Sequence, residues 1–297
     1  MEGERTPAVK GAPAHATPTI NWVGIAFFLI LAFGISWSIW LTLGALTVPF
    51  GTRAALGMFG PAVACLLVRF CRREGFGDAG LAFIGPGVRC AGRLYLAAYF
   101  VPIMLLVGGL ALSLLLGVQQ WQLPGYLQAT HTSPVGFALI CLRDMTLVIP
   151  TVMLFAFGEE LGWRGYLLPR LAPLGEVPAA IIVGVIWGLW HAPLIFVDGY
   201  EYNDAHSPLA VLMFMLPSIT LSLILAWLRF RSGSIWPPVL AHATGNQAAA
   251  LALLAFVASG NLYLGTPVGL ITILLSAAFA IWLIATGRLN PQPQQGS

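Results

Sequence analysis

Charged residues are scarce in this chain of 297 residues. Asp, Glu, Lys and Arg together make up 8% of it, against 58% hydrophobic residues, and the mean hydropathy is +0.85. An ordinary soluble domain carries about a quarter charged residues, so this chain has too few to cover a water-facing surface. We therefore expect lipid to be the main solvent, which excludes soluble enzymes and soluble binding modules.

Lysine is also nearly absent, and no two cysteines stand at the spacing of a CxxC motif. Lys10 is the single lysine, and the arginines lie between apolar runs rather than along one face, so the sequence predicts no nucleic-acid partner. The preference for Arg is typical of a GC-rich bacterial genome, so the expected location is a bacterial inner membrane. No CxxC pair occurs among the cysteines, which argues against a disulfide framework or a thiolate zinc site. The four cysteines are Cys65, Cys71, Cys90 and Cys141.

Eight apolar runs are present, each near the ~20 residues that a bilayer crossing needs. They cover residues 20–48, 54–70, 94–117, 135–158, 178–197, 208–228, 235–257 and 267–286. The sequence thus predicts an all-α, polytopic membrane bundle of about eight transmembrane helices. Residues 1–19 are rich in Pro, Ala and Thr without apolar periodicity, and they are predicted to form a disordered tail.

The arginines in the loops predict how the protein is oriented in the membrane. The loop after the second run is rich in arginine, and the positive-inside rule places it in the cytoplasm. If all eight runs cross, the other arginine-bearing loops fall on the same side, and both termini are cytoplasmic. These loops contain Arg164, Arg170, Arg229, Arg231 and Arg288. Arg53 and Arg143 are exceptions on the outer side. The outer loop 198–207 is acidic and is predicted to be solvated, with a weak cation site as the alternative.

Ionisable groups inside a bilayer are costly, so each one marks a potential functional site. Glu160 and Arg164 are four residues apart and are expected to form an ion pair on one helical face. Glu159 points about 100° away and has no basic partner at that spacing. We therefore interpret Glu160 as a structural carboxylate and Glu159 as a free one, suited to act as a general base. The alternative is one structural cluster of both glutamates with Arg164.

Two further motifs carry histidine. His191 follows Trp187 by four residues in the fifth run, and His242 and Asn246 lie four apart in the seventh, on one helical face. Asn and neutral His offer N–H donors for an oxyanion. Alternatively, they form interhelical hydrogen bonds. The predicted boundaries place His191 deeper than the other groups, so the cluster requires a longer fourth or seventh helix or a water-filled inlet.

The three motifs together resemble those of the CPBP intramembrane protease family, which includes type II CAAX prenyl endopeptidases and bacterial abortive-infection proteins. The family pattern is Glu-Glu-x-x-x-Arg, aromatic-x-x-x-His and His-x-x-x-Asn. It is matched by Glu159, Glu160, Arg164, Trp187, His191, His242 and Asn246. Trp187 stands where many members carry Phe. The resemblance divides the chain into a tail (1–19), N-terminal transmembrane helices (20–134), a CAAX-protease-like catalytic core (135–257), and a last helix with C-terminal tail (258–297).

The resemblance implies an eight-helix fold with a cavity open to the cytosol and to lipid. It implies that Glu159 and His191 activate water, that His242 and Asn246 bind the carbonyl oxygen, and that Glu160 and Arg164 position the site. The expected substrate is a membrane protein or a lipid-anchored peptide. GxSxG is absent, so no serine nucleophile is predicted.

The sequence does not decide whether the protein binds a metal cofactor. Glu159, His191 and His242 match a catalytic Zn²⁺ ligand set, although no HExxH motif occurs, and a metal-free glutamate mechanism is the alternative. Two other functions compete with the endopeptidase. One is an ion-coupled transporter, although no internal repeat is visible. The other is a catalytically silent immunity or scaffold protein.

Overall fold

A computed structural model describes residues 20–89, 91–202, 206–258 and 262–290. Within these ranges the chain is almost entirely helical, and the prediction of an all-α polytopic membrane bundle is confirmed. The predicted disordered tail of residues 1–19 lies outside the described residues, as does Cys90. The other three cysteines are free thiols.

Fourteen α-helices and two short strands follow one another in the described part of the chain. The helices are α1 (Trp22–Ala45), α2 (Phe50–Gly57), α3 (Gly60–Cys71), α4 (Ala91–Leu115), α5 (Leu123–Ala129), α6 (Pro134–Thr146), α7 (Ile149–Gly162), α8 (Leu168–Leu171), α9 (Glu176–Trp190), α10 (Ala192–Asp198), α11 (Pro208–Ser232), α12 (Trp236–Ala255), α13 (Leu262–Gly265) and α14 (Leu270–Ala285). A π-helical turn (Trp163–Leu167) joins α7 to α8, and a 3₁₀ turn (Ala172–Leu174) follows α8. Strands β1 (Gln119–Trp121) and β2 (Phe256–Ala258) pair antiparallel.

Fewer helices have the length and hydropathy of a membrane span than the eight runs predicted from the sequence. Among the described residues, six helical segments are long and apolar enough to cross a membrane, and a bent pair of helices raises the number to seven. The predicted run outside this number is α12, a helix of 20 residues that carries two prolines together with His242, Asn246 and Gln247. These residues lower its hydropathy, although α12 still packs between α4 and α7.

The fourth predicted run is two helices rather than one. α6 and the helical segment Ile149–Leu174 meet at a bend of 43°. Pro150 lies in the first turn of α7, where its missing N–H is tolerated, so a new helix begins there. The predicted end at residue 158 is wrong, because helical backbone continues to Leu174. Glu159 therefore lies inside a helical segment rather than just beyond its end.

Small residues bring the central helices close together. In α9, a Cβ atom on Gly184 would lie 2.6 Å from the Ile219 Cα of α11, and one on Gly188 would lie 2.8 Å from the Met215 Cα. Glycine allows such close backbone approach between membrane helices, where apolar burial gives little driving force for association. The α9–α11 pair is the most extensive helix contact in the bundle.

The loops that were predicted to share one side of the membrane contact one another. The Gly85 N–H donates to the Ser232 carbonyl at 2.9 Å, which joins the loop after α3 to the turn between α11 and α12. Arg170 forms an ion pair with Asp78 of the same loop at 3.0 Å. Arg231 donates to the backbone carbonyl of Arg288 at 2.7 Å. The arginine-bearing loops thus gather at one end of the bundle.

Arg53 and Arg143, the two arginines on the predicted outer side, both have acidic partners. Arg53 forms an ion pair with Asp198, and Arg143 pairs with the adjacent Asp144 at 2.6 Å. The orientation in the membrane stays a prediction. The prediction of a solvated loop at 198–207 is wrong for Asp198, which is paired, and for Glu201, which lines an internal cavity. Asp204 lies outside the described residues.

Substitution of Gly162 tests the contact that positions the α7 segment against α3. A Cβ atom there would lie 2.4 Å from the Pro61 Cβ and 2.8 Å from its backbone. We expect Gly162→Ala to destabilise the protein by about 1–3 kcal/mol, because the backbone must shift to relieve the overlap. Thermal unfolding in detergent measures the effect.

Gly34→Ala is the matched control, since a Cβ atom at Gly34 in α1 has no neighbour within 4 Å. Its unfolding temperature should stay equal to or above that of the wild type, because alanine favours helix. Equal unfolding temperatures for both variants would contradict the close packing of α3 and α7.

Candidate active site

A cavity of about 690 Å³ lies in the middle of the bundle. Its walls come from α1, α2, α4, α7, α9, α10, α11, α12 and α14, and from the turn after α10. Most of the lining side chains are apolar. All four predicted catalytic residues are in its lining: Glu159, His191, His242 and Asn246. The structure therefore brings together groups from three sequence motifs that are up to 87 residues apart in the chain.

The Glu159 side chain is buried, and its hydrogen bonds come from two indole groups. Trp187 Nε1 donates to Glu159 Oε2 at 2.6 Å, and Trp163 Nε1 donates to the same oxygen at 3.4 Å. Within the described part of the chain, no basic side chain forms a salt bridge with Glu159. Glu159 is thus a carboxylate held by neutral donors at the wall of the cavity, as its position on the helical wheel predicted.

Glu160 has a different environment. It is fully buried, and its Oε1 atom accepts from Arg164 at 2.9 Å in the predicted i, i+4 pair. The same oxygen lies 2.9 Å from His242 Nδ1, so one carboxylate joins the α7 segment to α12. Arg164 is also fully buried, and its guanidinium lies 4.6 Å from the Trp187 ring centroid, where cation–π attraction operates.

His191 lies at the break between α9 and α10. Pro193 lies in the first turn of α10 and has no N–H to continue the hydrogen-bond ladder of α9, so the backbone turns at His191. His191 Nδ1 lies 2.9 Å from the Trp187 carbonyl oxygen. A carbonyl oxygen only accepts, so Nδ1 carries the proton, and Nε2 of the neutral ring keeps a lone pair for the cavity.

His242 and Asn246 do not form the simple donor pair that the sequence predicted. Since the Glu160 carboxylate accepts, His242 Nδ1 is a donor to it, and Nε2 can donate to a ligand only when both ring nitrogens are protonated. The Asn246 side chain is exposed to the cavity, and no described residue hydrogen-bonds it. Its amide N–H groups are therefore available to a bound molecule.

Trp187 connects most of these groups. Its indole N–H bonds Glu159, its carbonyl oxygen accepts from His191, and its ring packs edge-on against His242 at 5.2 Å between centroids. A Phe at this position would keep the ring contacts and lose the indole hydrogen bond. The Trp187 indole thus gives the carboxylate a donor that a Phe would not supply.

The zinc hypothesis is not supported by the side-chain arrangement. Of the residues that the structure describes, no three His, Cys, Asp or Glu side chains are grouped so that they could hold one metal ion, and this includes the predicted set of Glu159, His191 and His242. The residues present do not fit the ligand sphere of a catalytic zinc site.

Two neighbours of the site were missed by sequence reasoning. Trp163 follows Glu159 by four residues, and this spacing is a signal for the contact that was overlooked. Tyr200 stacks on the His191 ring with a centroid distance of 6.1 Å and an interplanar angle of 10°. It belongs to the acidic loop, and nothing in the sequence pattern predicts that it faces the cavity.

The fold and the site define a class: a polytopic helical membrane protein with an acid–histidine cluster at an internal cavity. Comparison with known proteins refines it. Residues 140–248 match the sequence model of a family described as type II CAAX prenyl endopeptidase Rce1-like. CAAX prenyl protease 2 of Methanococcus maripaludis is 36% identical over 88 residues, which are 29% of this chain and 32% of that protein.

The alignment with this relative covers about a third of its length. The segment that matches the family contains all seven motif residues, from Glu159 to Asn246. The resemblance to the CPBP intramembrane protease family is therefore confirmed for the part of the chain that carries the site.

Trp187→Phe tests the hydrogen bond between the indole and Glu159. We expect a loss of about 1.5–3 kcal/mol in the free energy of unfolding beyond the packing loss, since hydrogen bonds to charged groups contribute about this much. The measurement is chemical or thermal unfolding in detergent.

Trp190→Phe is the matched control. Trp190 is fully buried in the same helix, but its Nε1 atom has no hydrogen-bond partner in the described structure. The Trp190→Phe variant should lose packing alone and remain more stable than the Trp187→Phe variant. If the two variants have the same free energy of unfolding, the hydrogen bond from the Trp187 indole to Glu159 contributes nothing measurable to stability.

Proposed function

We propose that this protein is an intramembrane endopeptidase that hydrolyses a peptide bond in a membrane-associated substrate. The observation that carries the proposal is the Glu159 carboxylate. It lies at the wall of a mostly apolar cavity, without a cationic partner in the described residues, and the other three predicted catalytic residues line the same cavity. A structural carboxylate in lipid would be expected to have an ion pair, as Glu160 does.

Water activation is the role proposed for Glu159 and His191. A water molecule bound between them loses a proton to one of these bases as its oxygen attacks the carbonyl carbon of the scissile bond. The proton on His191 Nδ1 is held by the Trp187 carbonyl, so Nε2 is the ring atom that accepts. The indole donors to Glu159 Oε2 leave Oε1 as its free oxygen.

Stabilisation of the oxyanion is the role proposed for Asn246 and His242. The Asn246 amide donates directly. His242 donates from Nε2 in its doubly protonated form, with the Glu160 carboxylate as counter-ion. Removing one oxyanion-hole donor lowers the rate of a serine protease by about 10²–10³-fold, and we expect a loss of the same order for Asn246→Ala. Glu160 and Arg164 position His242 and are not proposed to touch substrate.

Collapse of the tetrahedral intermediate completes the reaction. The C–N bond breaks, and the proton taken from water passes to the leaving amine from Glu159 or His191. The products are a new carboxyl terminus and a new amino terminus. No step requires a nucleophilic serine or cysteine.

The proposed substrate is a membrane protein or a lipid-anchored peptide. The apolar walls of the cavity suit an acyl or prenyl chain or a transmembrane segment. The relative from Methanococcus maripaludis is named as a CAAX prenyl protease, which supports the same class of substrate. We further propose that the protein lies in a bacterial inner membrane, with both termini and the active site facing the cytoplasm.

Cleavage of a quenched-fluorescence peptide tests the activity. The full-length protein in detergent is incubated with prenylated and unmodified peptides. We expect the wild type to cleave and both Glu159→Ala and His191→Ala to lose at least about 10²-fold in rate, because each removes a group that takes up the proton from water. Persistent cleavage by a folded Glu159→Ala protein would contradict the mechanism. Flux of a solute into liposomes without cleavage of any peptide would favour a transporter.

Addition of a chelator tests the role of metal. Because the three predicted ligands are not grouped to hold an ion, we expect EDTA and 1,10-phenanthroline to leave the cleavage rate unchanged. Metal analysis of the purified protein should find less than one equivalent of zinc. Inhibition that is reversed by added Zn²⁺ would overturn this expectation.

A further inference from the structure

A short turn after α10 forms part of the cavity wall beside His191. Gly199 has a φ of 64°, a left-handed conformation that favours glycine, and it ends α10. The Tyr200 N–H donates to the Leu194 carbonyl at 3.2 Å, and the Tyr202 N–H donates to Gly199 at 3.1 Å. Tyr202 is fully buried. The turn is therefore a fixed structure, and it presents Tyr200 and Glu201 to the cavity.

Glu201 is the second carboxylate in the cavity wall, after Glu159. It has a φ of 67°, which residues with a side chain rarely adopt. Asp198, three residues earlier, is neutralised by Arg53. No salt bridge to Glu201 is formed by the residues that the structure describes. An acidic group thus lines a mostly apolar cavity without a cation.

Tyr200 connects this carboxylate to the catalytic group. Its ring is parallel to that of His191, and burial raises the pKa of its hydroxyl well above the ordinary value, as do the Glu201 and Glu159 carboxylates. The hydroxyl therefore keeps its proton. Burial also raises the pKa of Glu201, while hydrogen bonding from Tyr200 opposes this shift. Glu201 lines the same cavity as Glu159 and His191, which is where the proposed substrate binds.

We propose that Glu201 binds a basic side chain of the substrate, so that the protein prefers peptides with Arg or Lys beside the cleaved bond. The proposal rests on the proposed endopeptidase function and names the class of peptide that fits the same cavity. An unpaired carboxylate in apolar surroundings is unfavourable, and a bound guanidinium or ammonium group supplies the missing counter-charge. The apolar lining accommodates the rest of the peptide.

The test compares two sets of peptides that have the same shape and differ in charge. One set places Arg at each position within three residues of the cleaved bond, and the other places neutral citrulline there. With full-length wild-type protein in detergent, we expect kcat/KM at one position to be about tenfold or more higher for Arg. In Glu201→Gln this ratio should fall toward one. Glu201→Lys should invert the preference in favour of a peptide with Glu at that position.

A binding measurement separates failure of this proposal from failure of the proposed function. The Glu159→Ala protein is titrated with fluorescent Arg and citrulline peptides, and the same titration is made with Glu201→Gln added to it. Tighter binding of the Arg peptide that disappears in the double variant supports the role of Glu201, even if the wild type cleaves no peptide. Equal affinity or equal kcat/KM for Arg and citrulline at every position would overturn the proposal. So would a preference for Arg that Glu201→Gln leaves intact.

Discussion

The buried Glu160 carboxylate is the interaction on which the arrangement of the site depends. It accepts from Arg164 within its own helical segment and from His242 on α12, with both donors 2.9 Å from the same oxygen. None of the three groups could be buried alone among apolar helices without a large desolvation cost. Together they hold α12, the least apolar of the long helices, against the α7 segment. Asn246, one turn further along α12, is placed at the cavity as a result.

This pairing also explains why two neighbouring glutamates differ. One residue of rotation turns Glu159 away from Arg164, toward the indoles of Trp163 and Trp187. Neutral donors hold the carboxylate in place without cancelling its charge. The π-helical turn begins at Trp163, immediately after this region, and such irregular turns often occur at functional sites. The site is thus built from one neutralised carboxylate that supports it and one that stays available for proton transfer.

Much of this was predictable from the sequence, because its signals are local. The i, i+4 spacing predicted the pair of Glu160 and Arg164, and hydropathy predicted the membrane bundle. The contact between His242 and Glu160 joins residues 82 apart, and helical periodicity carries no information about which helices become neighbours. The break between α6 and α7 depends on packing around Pro150, and a membrane helix also tolerates proline without breaking, as α11 does at Pro217.

The acidic loop 198–207 likewise depends on contacts between distant residues, which the sequence does not reveal. Its composition predicted a solvated segment, but Arg53, on a different helix, neutralises Asp198, and the turn that follows folds against the cavity. A charge that looks unpaired in a sequence is often paired in space. The family motifs ended at Asn246 and did not include this turn, so no pattern pointed to Tyr200 or Glu201.

The division of labour between the glutamates is the central claim, and one comparison tests it most directly. Glu159→Gln and Glu160→Gln remove the same charge from adjacent positions, and both unfolding and peptide cleavage are measured on each full-length variant. We expect Glu159→Gln to unfold like the wild type and to lose cleavage. Glu160→Gln should lose about 3–5 kcal/mol of stability, because it leaves Arg164 buried without its counter-ion. A destabilised Glu159→Gln protein beside a stable, inactive Glu160→Gln protein would contradict the claim.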